Sequence, residues 1–91
     1  MKRIDPKKYN LPSRTTLYKK TDHIFIIIDR KSRIIMKDGH RISEIAKSIL
    51  SMDPGVRIRV ATSAPTCSKT KEYLRQVDIE VLELNSINIS L

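Results

Sequence analysis

The sequence predicts a small α/β domain of two layers, a mixed sheet with both helices packed mainly on one face. Three observations carry that prediction. HIFIIID (residues 23–29) holds an unbroken apolar, β-branched and aromatic run too short for a typical helix. VRIRVAT (56–62) alternates, with Val56, Ile58 and Val60 to one side and Arg57, Arg59 and Ala61 to the other. Between them, Ile42, Ile45, Ala46, Ile49, Leu50 and Met52 recur at the three-and-four spacing of one helical face.

The elements follow in order. The first twenty residues, MKRIDPKKYNLPSRTTLYKK, contain Pro6 and Pro12 and no periodicity, so they read as an extended basic arm. Tyr9, Leu11, Leu17 and Tyr18 would pin it to the body. The run at 23–29 reads as an interior strand covered on both faces. DRKSR then turns the chain, and RIIM (33–36) reads as the second strand of a hairpin. Asp38-Gly39 is a turn signal. The helix at 42–52 ends at Asp53-Pro54-Gly55, because proline cannot continue the backbone bonding. The alternating strand, a helix from about 65 to 77 and the strand IEVLEL (79–84) complete the body. The tail NSINISL alternates weakly at Ile87, Ile89 and Leu91, which suits an edge strand or a partner contact.

The expected order is therefore strand, strand, helix, strand, helix, strand, in a body of residues 21–91 behind an arm of residues 1–20. The last strand–helix–strand unit calls for a right-handed crossover between parallel strands. Arg57 and Arg59 leave the second sheet face partly open. A helix–turn–helix reading of RISEIAKSILSMDPGVRIRV breaks down where its recognition helix would contain Pro-Gly and alternating VRIRV.

Composition narrows the function classes. The chain has 91 residues, a net charge of +8 and one cysteine. A lone cysteine excludes an internal disulfide, so packing alone holds the fold, as expected of a cytoplasmic protein. No apolar run approaches the roughly 20 residues that span a bilayer. The charged N-terminus has no apolar signal core behind it, so secretion is not expected. A core this small makes a homodimer or another partner a reasonable expectation.

The positive charge is uneven. Seven of the 18 basic residues and only one of the ten acidic ones fall in the first twenty positions. An excess of this kind points to nucleic acid, or to an acidic protein, as partner. Lys7, Lys8, Arg14, Lys19 and Lys20 of the arm, with Arg57 and Arg59 of the alternating strand, are the candidate phosphate contacts. Tyr9 and Tyr18 are candidate stacking groups for unpaired bases. Arg30, Lys31 and Arg33 would extend the same surface.

A second candidate is TSAPTCSKTK (62–71), at the carboxyl end of the third expected strand, where α/β sheets tend to bind ligands. Pro65 suits the first turn of the following helix. Ser63, Thr66, Ser68 and Lys69 are candidate anion ligands beside that helix's free amides. The turn lacks the glycines of phosphate-cradling loops. Cys67, with Lys69, is the candidate catalytic pair, since a helix start and a cation both favour a thiolate. Its spacing to Leu74 and Val77 equally suits a small buried residue on the inward stripe. His23 and His40 stand in no metal-ligand spacing, Asp22, Asp29 and Asp38 suit strand ends and turns, and nothing calls for a cofactor.

The stretch IRVATSAPTCSKTKEYLRQVDIEVLEL (58–84) resembles the opening strand–loop–helix–strand of glutaredoxins and related thioredoxin-fold proteins. The resemblance implies a nucleophilic Cys67. With Thr70 where the second cysteine usually stands, it implies monothiol chemistry at most. It covers under a third of the chain, and the hairpin and helix that follow in that family have no counterpart after residue 84. The leading expectation is a small, basic, non-catalytic binding module contacting nucleic acid. The alternatives are a thiol-dependent or anion-binding enzyme centred on Cys67, and an accessory subunit of a larger complex.

Overall fold

Five strands and two helices follow one another along the computed structural model, which describes residues 1–86. They are β1 (Lys2–Ile4), β2 (Thr16–Lys20), β3 (His23–Ile28), α1 (Met36–Met52), β4 (Arg57–Thr62), α2 (Ser68–Gln76) and β5 (Glu80–Glu83). The alternation expected at Ile87, Ile89 and Leu91 lies outside the described residues. The sheet runs β1-β2-β3-β4-β5, antiparallel from β1 to β3 and parallel from β3 to β5. Two successive right-handed crossovers along a sheet in sequence order place both helices on one face. The α/β class, the mixed sheet and the two-layer arrangement are thus as the sequence predicts.

One apolar core forms between the layers. Leu17, Ile24, Ile26, Ile58 and Val60 from the strands meet Ile42, Ala46 and Ile49 of α1 and Leu74 of α2. The residues between them on the strands face the other way. Tyr18 pairs with Phe25, Phe25 with Arg59 and Arg59 with Glu80 across the second face. Tyr18, Phe25 and Ala61 are buried there without joining the main core.

Two stretches fold differently from the expectation. The hairpin is not built from residues 23–29 and 33–36. β3 pairs instead with β2, through a tight turn at Thr21 and Asp22. In the 33–36 stretch, Ile34 makes only a single parallel bridge to Thr66, and Met36 already opens α1. The reason is Asp38, whose carboxylate accepts the Ile35 N–H at 2.9 Å and holds the first turn of the helix. Gly39 therefore sits inside α1 rather than in a turn. A β-carbon there would lie 2.9 Å from the Thr70 methyl, so glycine lets the two helices approach.

The first twenty residues, read from the sequence as an arm, supply β1, a 3-10 turn (Pro6–Tyr9) and β2. Asp5 caps that turn by accepting the Lys7 N–H. Tyr9 and Leu17 are fully enclosed, and the Tyr9 hydroxyl donates to Asp53 at 2.7 Å beyond the end of α1. Burial of Tyr9, Leu11, Leu17 and Tyr18 opposes the entropy of ordering the segment.

Candidate functional site

The carboxyl ends of β3 and β4 open into two loops that the backbone stitches together. The Ile34 N–H donates to the Pro65 carbonyl and the Cys67 N–H to the Ile34 carbonyl, each at 2.9 Å. The Ser63 hydroxyl donates to Asp29 at 2.6 Å. Arg30 shapes the first loop from within, reaching the carbonyls of Ser32 and Arg33 and the Asp38 carboxylate at 2.6 Å. That guanidinium, helped by the Ile35 N–H, holds Asp38 below the usual carboxylate range. Arg30 is thus already engaged inside the protein.

Beside this loop lies a cleft of about 280 Å³ between the outer flank of α1 and the segment leading into β2. Its apolar floor is Ile26, Ile28, Ile42 and Ile45, and its polar wall includes Arg14, Thr15, Asp38 and Arg41. Asp38, Arg41, Ile42 and Ile45 follow helical spacing, so a single side of α1 supplies them. Arg14 and Arg41 form no ion pair among the described residues. Two uncompensated guanidiniums beside an apolar floor suit an anion that carries an apolar group.

A larger depression of about 750 Å³ lies over the amino ends of β4 and β5, lined by Leu50, Arg57, Arg59, Arg75, Val77 and Glu80. Two of its arginines are already matched. Arg59 pairs with Glu80 at 3.1 Å, and Arg75 with Glu72 at 2.6 Å.

The residues expected to contact nucleic acid are spread over the molecule. Lys7 and Lys8 are exposed on the 3-10 turn, with the Lys8 ammonium 5.5 Å from the Tyr9 ring centre. Lys19 is the cross-strand partner of Ile24 and so faces the helix layer, while Lys20 pairs with His23 and Arg57 lies next along that row. Arg59 points to the open face. Tyr9 and Tyr18 are 1% and 6% exposed, so neither offers a free ring to a base. Arg14 alone of that set reaches the cleft. Arg41, across from it, was not singled out by sequence reasoning. Its signal was the helical spacing Asp38, Arg41, Ile42, Ile45, hidden while the helix was taken to begin at Ile42.

Of the expected anion ligands, Ser63 is committed to Asp29 and Thr66 to the bridge with Ile34, while Ser68 and Lys69 are exposed at the start of α2. Cys67 is the N-cap residue of α2 and is half-buried. The backbone N–H groups of Lys69 and Thr70 lower its thiol pKa, as do the Thr70 hydroxyl and the charge of Arg33. The cation acting on the sulfur comes from the neighbouring loop. The local unit on which the glutaredoxin resemblance rests is present as β4, α2 and β5, with β4 and β5 parallel. No protein-family model, curated protein or solved structure matches the chain. Among the described residues no cluster of His, Cys, Asp and Glu forms a metal site, and no helix is long and apolar enough to cross a membrane.

Proposed function

We propose that this domain is a non-catalytic nucleic-acid-binding module that grips phosphates at the carboxyl edge of its sheet. The observation that carries the reading is the pair Arg14 and Arg41, both lining one cleft with an isoleucine floor and neither in an ion pair among the described residues. Lys31, Arg33, Lys37 and Lys69 lie on the same end of the sheet, exposed and without carboxylate partners among the described residues. Arginine forks match phosphate oxygens in pairs, and the lysines add sequence-independent attraction. The buried tyrosines leave base recognition to the apolar floor of the cleft. At this volume the floor takes one base-sized group and no more.

The test is binding of a single-stranded oligonucleotide across a salt series. The wild-type affinity should fall steeply with salt, by a slope of about 0.7 for each phosphate neutralised. The double substitution R14A/R41A should lower the slope by about 1.4 and weaken binding at least tenfold. The double substitution K7A/K8A, on the 3-10 turn tied to the far end of α1 and outside the cleft, should change neither beyond a small non-specific loss. The reverse pattern, or no binding at low salt, would sink this assignment.

A further inference from the structure

The depression over the amino ends of β4 and β5 carries exposed apolar surface that phosphate binding leaves unused. Four large apolar side chains stand exposed among the described residues, and three of them belong to this end of the sheet. Leu50 and Met52, in the last turn of α1, are 38% and 49% exposed, and Val77, the C-cap of α2, is 42% exposed. Leu50 and Val77 line the depression together with Val56. Each crossover brings its helix down to the amino end of the next strand, so the two helix ends meet here. Single exposed apolar residues are ordinary, whereas a group of them around a depression marks an interaction surface.

The charges around it identify the occupant. Arg57, Arg59 and Arg75 line the depression with Asp78 and Glu80, and Glu72 holds Arg75. Three cations are thus balanced by three carboxylates, on a chain whose net charge is +8. Two copies of so basic a chain repel each other overall, and a locally neutral patch is where they touch with least repulsion. Two of the six charges, Arg57 and Asp78, have no ion pair among the described residues. Their signs are opposite, so two copies related by a two-fold axis can satisfy both. Asp78 follows the C-cap of α2 with a φ of 62°, a conformation glycine adopts most easily. An aspartate there places a carboxylate at the rim of the depression.

We propose that this depression is the interface of a two-fold symmetric homodimer. Leu50, Val56 and Val77 of one copy pack against the same residues of the other, and Arg57 of each copy pairs with its partner's Asp78. The cleft that holds Arg14 and Arg41 lies at the opposite end of the parallel strands and stays open in both copies. The interface therefore stands whether or not that cleft takes phosphate.

The experiment is sedimentation equilibrium of the full-length chain, without oligonucleotide, up to submillimolar concentration. The wild type should behave as a reversible monomer–dimer mixture. The double substitution L50S/V77S withdraws two apolar side chains from each copy and should weaken association at least about a hundredfold. Both positions are exposed, so the circular dichroism spectrum should be that of the wild type. R57D and D78K should each weaken association roughly tenfold, because every cross-pair then sets like charges together. An equimolar mixture of the two should dimerise as the wild type does, since each substituted side chain meets its opposite. D78G removes the carboxylate and suits the backbone, so it should weaken association several-fold and leave the folded spectrum intact. A monomer at every concentration, or a dimer that L50S/V77S leaves unchanged, would overturn the proposal. So would R57D and D78K proteins that associate like the wild type, or a mixture of them that stays monomeric.

Discussion

The two depressions on this domain are built from similar residues and offer different chemistry. Each has an apolar floor and three arginines. At the amino ends of β4 and β5, Arg59 and Arg75 are held by Glu80 and Glu72. At the carboxyl edge only Arg30 is held, by Asp38, while Arg14 and Arg41 have no such partner among the described residues. An arginine already paired with a carboxylate has little left to give an incoming anion, because binding must first break that pair. What separates the two regions is which carboxylate the fold brings within reach, not how many cations each contains. The narrow cleft therefore carries the phosphate-binding proposal, although the other depression is wider.

The strongest test of this contrast removes residues 1–20. If Arg14 belonged to an arm, the deletion would abolish binding and spare the fold. In the structure it removes β1, β2, Leu17 and Tyr9 from the sheet and core. The expected outcome is loss of cooperative unfolding in circular dichroism, since the lost packing rivals the 5–15 kcal/mol of a typical domain's entire stability. A truncated chain that still melts cooperatively would return the segment to the status of an arm.

Tyr9 offers a smaller, cleaner break, confined to the far end of α1. Burial, the hydrogen bond to Asp53 and the charge of that carboxylate push its pKa from 10.0 up to about 12. A raised folded pKa contributes stability that is complete below the unfolded value and is lost as pH climbs through the folded one. The domain should therefore weaken between about pH 10 and pH 12. The substitution Y9F should cost roughly 2 kcal/mol at neutral pH, measured by urea unfolding, and flatten that alkaline limb. Oligonucleotide affinity at the carboxyl edge should not change.

The elements that were legible in the sequence are those whose side chains repeat without interruption. The isoleucines of β3, the alternation of β4 and the three-and-four spacing of α1 each identify themselves. β2 does not, because Lys19 occupies a helix-facing position at the sheet margin and spoils the alternation begun by Leu17. Its turn to β3 carries no glycine or asparagine either. Thr21 takes a φ of 54° unaided, a conformation β-branched residues rarely adopt, so the usual hairpin signal is missing. The start of α1 is hidden in the same way, since its N-cap is Ile35 and the residue that holds it lies three positions later. The placement of Cys67 at a helix start was readable. Its surroundings were not, because the loop that carries Arg33 is brought beside it only by the bridge between Ile34 and Thr66. The cleft was least visible of all, as Arg14 and Arg41 come to line it together only once β2 has paired with β3.

Asp38 sharpens the contrast most finely, because it is the one carboxylate lining the cleft and also the brace of α1. Its folded pKa is lowered chiefly by the Arg30 hydrogen bond, so its contribution is present above the ordinary carboxylate range and is lost as pH falls through the folded value. The substitution D38N keeps the side chain's shape and removes the charge. It should cost about 1 kcal/mol at neutral pH and shrink the acid-dependent part of the stability curve. It should also release Arg30 toward the cleft, so oligonucleotide affinity should rise modestly, by a factor of about two to five, and the salt slope should steepen. Lower stability with tighter binding from one substitution is the pattern that a carboxylate balancing the cleft's arginines produces. Loss of both would mean that Asp38 orders the whole edge and that the free charge of Arg14 and Arg41 depends on it.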